Sequence, residues 1–175
     1  TACILQDKIG AVNAAAMDVV AGCTGFIYAV DVAASMLGRH GRKLALVIGT
    51  EVLSRIVDWD ERSTCVLFGD GAGAVLMEYV AGEEPGAGNA ERGVISSWLR
   101  AKGSGASYLT LRQPMRESTF TRSSEPGLSP RIAMDGKAVY MFAVKAITDV
   151  IDNLLTQSSL GIQDFKWIVP HQANA

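Results

Sequence analysis

The sequence has few cysteines, no excess of basic charge and no long apolar runs. Its three cysteines form no Cys-x-x-Cys pair, which argues against a zinc site and a disulfide framework. Sixteen Lys and Arg against 18 Asp and Glu give a net charge of -2. That balance offers no broad basic surface for nucleic acid. No apolar run approaches the ~20 residues that span a bilayer. We therefore expect no nucleic-acid partner, no membrane insertion and a cytoplasmic location with reduced thiols.

What remains is the composition of a globular domain of 175 residues, 49% hydrophobic and 19% charged. Residues 16–20 and 44–49 are apolar runs typical of strands, and the second is typical of a strand buried on both faces of a parallel sheet. Between them, apolar residues recur at helical spacing from Phe26 to Leu37, and Gly38 ends the pattern. A strand, a helix and a strand in this order predict an α/β fold.

The rest of the chain has the same alternation. Further strands are expected at residues 65–68, 74–80, 93–99 and 165–169. Asp135 is expected to cap a helix with a wide apolar stripe that ends near Gly161. Residues 81–92 have the composition of a linker, and residues 113–130 that of an exposed loop. We predict two parts, 1–80 and 93–175, joined by this linker.

Two residues stand where thiol chemistry is possible. Cys23 lies at a glycine-flanked turn into a helix, which would expose its side chain where the helix dipole attracts negative charge. His171 follows the last predicted strand, at the sheet edge where ligands bind in open α/β sheets. A cysteine and a histidine at strand ends suit nucleophilic catalysis. On spacing alone, a buried packing thiol and a capping histidine remain open alternatives.

Six short strings carry a resemblance to a known family. In chain order they are NAAAMDV at 13–19, AGCTGF at 21–26, DERST at 60–64, LFGDGAGA at 67–74, MDG at 134–136 and PHQAN at 170–174. Together they resemble β-ketoacyl-acyl-carrier-protein synthase III. The resemblance implies the thiolase-like fold, with mixed sheets and buried helices, represented here only in part. It also implies an internal portion of a longer enzyme, with the later part of one half before the linker and the earlier part of the other half after it.

The resemblance also implies an activity, which is the start of fatty-acid synthesis. Cys23 matches the nucleophile that takes the acyl group from an acyl-coenzyme A primer, such as acetyl or a short branched acyl group. His171 matches the histidine that stabilises the enolate formed when malonyl-acyl carrier protein loses carbon dioxide. The product would be a 3-oxoacyl-carrier protein. The resemblance implies no metal or redox cofactor, and a homodimer that pairs through residues 14–20.

Further positions match residues that bind the substrates. Arg62 matches the arginine that stacks on the coenzyme A adenine. Phe68, Met134 and Gly136 match the wall of the acyl and pantetheine tunnel. Asn174 matches a residue that hydrogen-bonds pantetheine, and Gln172, Ala173 and Asn174 match the start of the segment that meets the carrier protein.

Other interpretations remain open at this point. A related polyketide-type ketosynthase would share Cys23 and His171, a truncated chain could bind carrier protein without turnover, and a thiol hydrolase is a further alternative. Four basic residues, Arg39, His40, Arg42 and Lys43, form a local cluster that either meets an acidic carrier or is simply solvated.

Overall fold

The computed structural model describes residues 1–81, 93–112 and 130–173. In chain order its helices and strands are α1 Ala2–Lys8, α2 Gly25–Met36, β1 Leu44–Val52, α3 Arg62–Cys65, β2 Asp70–Glu78, β3 Leu109–Arg112, β4 Arg131–Met134 and α4 Gly136–Ser158. Short 3-10 turns lie at Gly22–Thr24, Arg39–Gly41, Leu53–Arg55, Gly103–Tyr108 and Ile162–Asp164. Helices and strands alternate along the chain, so the predicted α/β class is confirmed.

Four expected strands are absent or changed in this structure. Residues 16–20, 93–99 and 165–169 form no strand, and residues 65–68 continue from α3 into a turn. A strand exists only where a neighbour completes its hydrogen-bond ladder, and a run of apolar residues does not specify that neighbour. Val20 at 93% exposed and Val169 at 86% exposed show how little of these segments is covered. For them the strand prediction is wrong.

The chain divides into two compact units. The first comprises Thr1–Gly49 and Ala74–Gly82. In it, α2 packs closely on β1, because Gly49 has no side chain and a Cβ added there would lie 3.4 Å from the Phe26 ring. Val47 on the same strand is buried.

The Tyr79 N–H, just after β2, donates to the Lys43 carbonyl, just before β1, so the two strands pair antiparallel. The prediction of a parallel strand covered on both faces is therefore wrong for β1, since Leu44 and Leu46 are exposed.

The second unit comprises Thr50–Gly73 and residues from 83 onward. Its core is formed by Val57, Thr64 and Ile132, all buried. Strands β3 and β4 pair antiparallel, with Leu109 opposite Met134. The Ile132 N–H donates to the Ile56 carbonyl at 2.9 Å, which joins β4 to the chain that precedes α3.

Helix α4 begins as the sequence predicts. The Asp135 carboxylate accepts the Ala138 N–H at 3.0 Å, which satisfies one of the unpaired donors at the helix start. The helix ends at Ser158, three residues before Gly161, and Ser159 follows in the left-handed region with φ 56°. Its apolar stripe is only partly covered, since Phe142 and Ile147 are exposed.

Two predicted segments lie outside the described residues. They are the linker, apart from Ala81, and the loop at 113–130, apart from Pro130. The division at residues 81–92 therefore stays a prediction. In the part of the chain that the structure describes, no helix combines the length and apolar character needed to cross a bilayer.

Candidate functional site

Cys23 lies in the 3-10 turn that leads directly into α2. Gly22 adopts φ 55°, a left-handed conformation that favours glycine, and this makes the sharp entry to the helix possible. The turn is closed at the Ala21 carbonyl, which accepts the Thr24 N–H at 3.3 Å and the Thr24 hydroxyl at 2.9 Å. The Cys23 thiol is exposed at the start of a 12-residue helix. The structure thus places this side chain in contact with solvent.

His171 is reached through a capped turn near the end of the chain. The Gly161 N–H donates to the Asp164 carboxylate at 2.8 Å, and the Asp164 N–H donates back to the Gly161 carbonyl at 3.0 Å. Beyond this turn, residues 165–171 are exposed and carry no regular structure. Cys23 and His171 belong to different units, so their convergence stays a prediction.

Arg62 and Phe68 stand at the two ends of one tightly bonded segment. The Glu61 carbonyl accepts the Thr64 N–H and the Cys65 N–H, both at 3.1 Å, and the Thr64 carbonyl accepts the Phe68 N–H at 3.2 Å. Thr64 is only 1% exposed, while Arg62 is exposed and Phe68 is half-buried. Both residues are therefore held by a turn that is anchored in the core of the second unit.

A carboxylate stabilises the start of this segment. Glu61 accepts the Ser63 N–H at 3.0 Å and caps α3. This backbone hydrogen bond, with a smaller contribution from the Ser63 hydroxyl, holds the pKa of the Glu61 carboxyl below its usual value. Arg62, the next residue, is exposed to solvent.

Met134 and Gly136 lie together at the junction of β4 and α4. Met134 is half-buried, and its methyl group lies 3.7 Å from the position that a Cβ on Gly136 would occupy. The Asp135 N–H between them donates to the Tyr108 carbonyl at 2.8 Å. Two of the three predicted tunnel residues thus lie side by side, next to the start of β3.

Sequence reasoning missed one polar contact that supports Phe68. Asp70, two residues after it, accepts the Ser54 N–H at 2.8 Å and the Ser54 hydroxyl at 2.7 Å. These bonds, the hydroxyl first, hold the pKa of the Asp70 carboxyl below its usual value. The partners are 16 residues apart, so no local pattern points to them. The glycines that flank Asp70 lie within or beside an ordinary strand, β2.

The remaining predicted residues are less informative. Gln172 and Ala173 are exposed, and Asn174 lies outside the described residues. Within residues 1–81, 93–112 and 130–173, no group of three or more His, Cys, Asp or Glu side chains could hold a metal ion.

Comparison with known proteins identifies the family. Residues 17–103 match the model of 3-oxoacyl-[acyl-carrier-protein] synthase III. The chain is 45% identical over 174 residues to β-ketoacyl-[acyl-carrier-protein] synthase III of Clostridium acetobutylicum, covering 99% of the chain and 50% of that protein. It is 46% identical over 177 residues to the synthase III of Syntrophomonas wolfei, with the same coverage.

A solved structure agrees with this assignment. The synthase III of Thermus thermophilus superposes with a TM-score of 0.81 at 32% identity, over 99% of this chain and 50% of the other. The chain therefore belongs to the 3-oxoacyl-[acyl-carrier-protein] synthase III family, and the predicted thiolase-like α/β fold is confirmed. It spans about half the length of the curated relatives that it matches.

Proposed function

We propose that the protein to which this chain belongs is a β-ketoacyl-acyl-carrier-protein synthase III that starts fatty-acid synthesis. The observation that carries the proposal is the exposed Cys23 thiol, placed by the left-handed Gly22 at the entry of α2. Family membership supports it, since the relatives bear the name of this enzyme. Activity would need both this thiol and the groups that handle malonyl-carrier protein.

The first half of the reaction would be acyl transfer to sulfur. The Cys23 thiolate attacks the thioester carbonyl of an acyl-coenzyme A primer, the carbon–sulfur bond to coenzyme A breaks, and coenzyme A leaves as a thiol after taking a proton. The Cys23 backbone N–H would contribute to the hole that stabilises the oxyanion. Arg62 would stack on the adenine with its planar guanidinium, for which its exposed position is suited.

The second half would be carbon–carbon bond formation. Malonyl-carrier protein loses carbon dioxide, and a neutral His171 donates a ring N–H to the enolate oxygen that forms. The enolate carbon attacks the acyl carbon, the bond to the Cys23 sulfur breaks, and the 3-oxoacyl-carrier protein leaves. Phe68, Met134 and Gly136 would line the path of the acyl and pantetheine chains. The reaction would use a coenzyme A thioester as a substrate and would need no metal or redox cofactor.

The partners follow from the same proposal. Residues 172–174 would begin the segment that meets the carrier protein. A second copy of the chain would pair along residues 14–20, where Ala14, Ala15, Met17 and Val20 are exposed. Such an enzyme would work in the cytoplasm, where both thioester substrates are made.

Acetyl-coenzyme A tests the first step directly. Incubation followed by peptide mass spectrometry should find the acetyl group on Cys23, and C23A should remove it. Cys3 is the matched control, because its thiol is also exposed. C3A should leave acetylation unchanged. Equal labelling of Cys3 and Cys23 would show that the reaction reflects exposure alone and would contradict the proposal.

The second step has its own variant. H171A should still acetylate Cys23 but should lower condensation with malonyl-carrier protein by about 10²-fold, the usual effect of losing one oxyanion donor. Release of free acetate without condensation would favour a hydrolase instead.

A further inference from the structure

The basic cluster at residues 39–43 borders a cavity of about 340 Å³ in the first unit. The cavity is lined by Gly38, Gly41, Arg42, Lys43, Glu78 and Tyr79, and by the two residues that follow Tyr79. None of these residues is part of the proposed reaction. The volume lies near the lower end of the about 300–1,000 Å³ typical of small-molecule sites.

The loop that presents the basic residues is held by its own backbone. The Gly38 N–H donates to the Arg42 carbonyl at 2.8 Å, and the Arg42 N–H donates to the Arg39 carbonyl at 3.1 Å. The Tyr79 N–H ties the neighbouring strand to the Lys43 carbonyl at 2.8 Å. A site whose backbone is already fixed loses little conformational entropy on binding.

The charge of this rim is positive in a protein that is acidic as a whole. Arg42 and Lys43 face one carboxylate, Glu78, and all three side chains are exposed. Within the described residues, neither Arg42 nor Lys43 is held in an ion pair. The Arg42 guanidinium makes one long contact, 3.4 Å, to the Arg39 carbonyl. Its other N–H groups remain available for an anion.

The Tyr79 ring forms the apolar wall of the cavity. Gly38 has φ 77°, and a Cβ added there would lie 2.7 Å from the ring, so the ring packs directly on the glycine backbone. At the same time Tyr79 is 44% exposed. A ring fixed on one side and open on the other is a stacking surface for another planar group.

We propose that this cavity binds a phosphate monoester carried on a planar ring, as in a nucleoside monophosphate. Arg42 and Lys43 hold the phosphate, the first through its planar fork and the second as a point charge. Tyr79 stacks on the ring, and the Glu78 carboxylate accepts a hydrogen bond from a ligand hydroxyl or amino group. A bare phosphate uses the two cations but leaves the aromatic wall uncovered.

Calorimetric titration of the full chain at low ionic strength tests the site, with adenosine monophosphate, inorganic phosphate and adenosine as probes. The monophosphate should bind more tightly than either of the others. R42Q and K43Q should each weaken it by about tenfold or more, the loss expected for one charge-assisted hydrogen bond. K8Q is the matched control, since Lys8 is exposed in the same unit, and should bind as the unaltered chain does.

Two further pairs of variants separate the contribution of the ring from that of the charge, and this site from the proposed coenzyme A site. Y79L should reduce the preference for the monophosphate over inorganic phosphate, and Y79F should keep it. R62A and C23A should bind the monophosphate normally. Loss of binding in R62A with normal binding in R42Q and K43Q would place the ligand at the coenzyme A site and overturn the proposal. Undetectable binding of the monophosphate, with a native circular dichroism spectrum, would overturn it as well.

Discussion

Two regions of the second unit carry predicted site residues and are built very differently. One is the wall segment, residues 53–70 with β4, which carries Arg62, Phe68 and Met134. The other is the histidine segment, residues 165–173. The wall segment contains Val57 at 0% exposed, whereas the histidine segment contains Val169 at 86% exposed.

The two regions differ in how the hydrogen-bonding groups of their backbones are paired. The parts of the wall segment bond to one another: Glu61 and Thr64 close its turn, Ile56 bonds to its strand β4, and Ser54 bonds to Asp70. The histidine segment is fixed at its entry by the turn between Gly161 and Asp164, and its apolar side chains are largely in contact with solvent. A side chain is held in place for chemistry when its support is buried and hydrogen-bonded. By that measure the predicted wall residues are preorganised within this chain, and His171 is not.

The largest expected effect comes from the core of the wall segment. V57A removes two methyl groups from a side chain with no exposed surface and should lower the free energy of unfolding by about 2 kcal/mol. Urea unfolding followed by circular dichroism measures the change. The predicted tunnel residues should lose support with it, because the chain next to Val57 bonds to β4. An effect below about 0.5 kcal/mol, the range of surface changes, would show that the wall segment is not the core of its unit.

A smaller effect is expected at the start of α4. D135A removes the carboxylate that accepts the Ala138 N–H and should cost about 1 kcal/mol. D135S restores an oxygen acceptor at the same position and should recover most of the loss. Equal unfolding midpoints for the alanine and serine variants would mean that the cap does not stabilise this end of the wall.

A further effect depends on pH. Asp70 accepts two hydrogen bonds from Ser54, and these lower its pKa in the folded protein. A lowered pKa stabilises the fold above the ordinary carboxyl value of about 3.9, and this contribution is lost as the pH falls through the folded value. Acidification from about pH 5 to about pH 3 should therefore destabilise the unaltered chain more than D70N. Urea midpoints at several pH values measure the difference, and S54A should behave as D70N does.

The sequence predicts those parts of the fold and of the candidate site that depend on local patterns. Helices α2 and α4 follow from apolar spacing and, for α4, from Asp135, and the exposed Cys23 follows from its glycine turn. Strands β3 and β4 were missed, because four residues are too few to show a period. The strands expected at 16–20 and 165–169 were wrong, because pairing requires a neighbour that periodicity does not specify. The contact between Ser54 and Asp70 also joins distant residues and left no local pattern to find.

The smallest expected effect falls on the histidine segment and is the sharpest test of the contrast. V169A makes the same chemical change as V57A on a side chain that is 86% exposed, so the free energy of unfolding should change by less than about 0.5 kcal/mol. V57A and V169A replace the same residue type by the same residue, so the two variants differ in the burial of the side chain. A loss at Val169 that matches the loss at Val57 would mean that this segment is covered in solution. The measurement should then be repeated at several protein concentrations. A loss that grows with concentration would identify a second copy of the chain as the cover, since self-association stabilises by mass action.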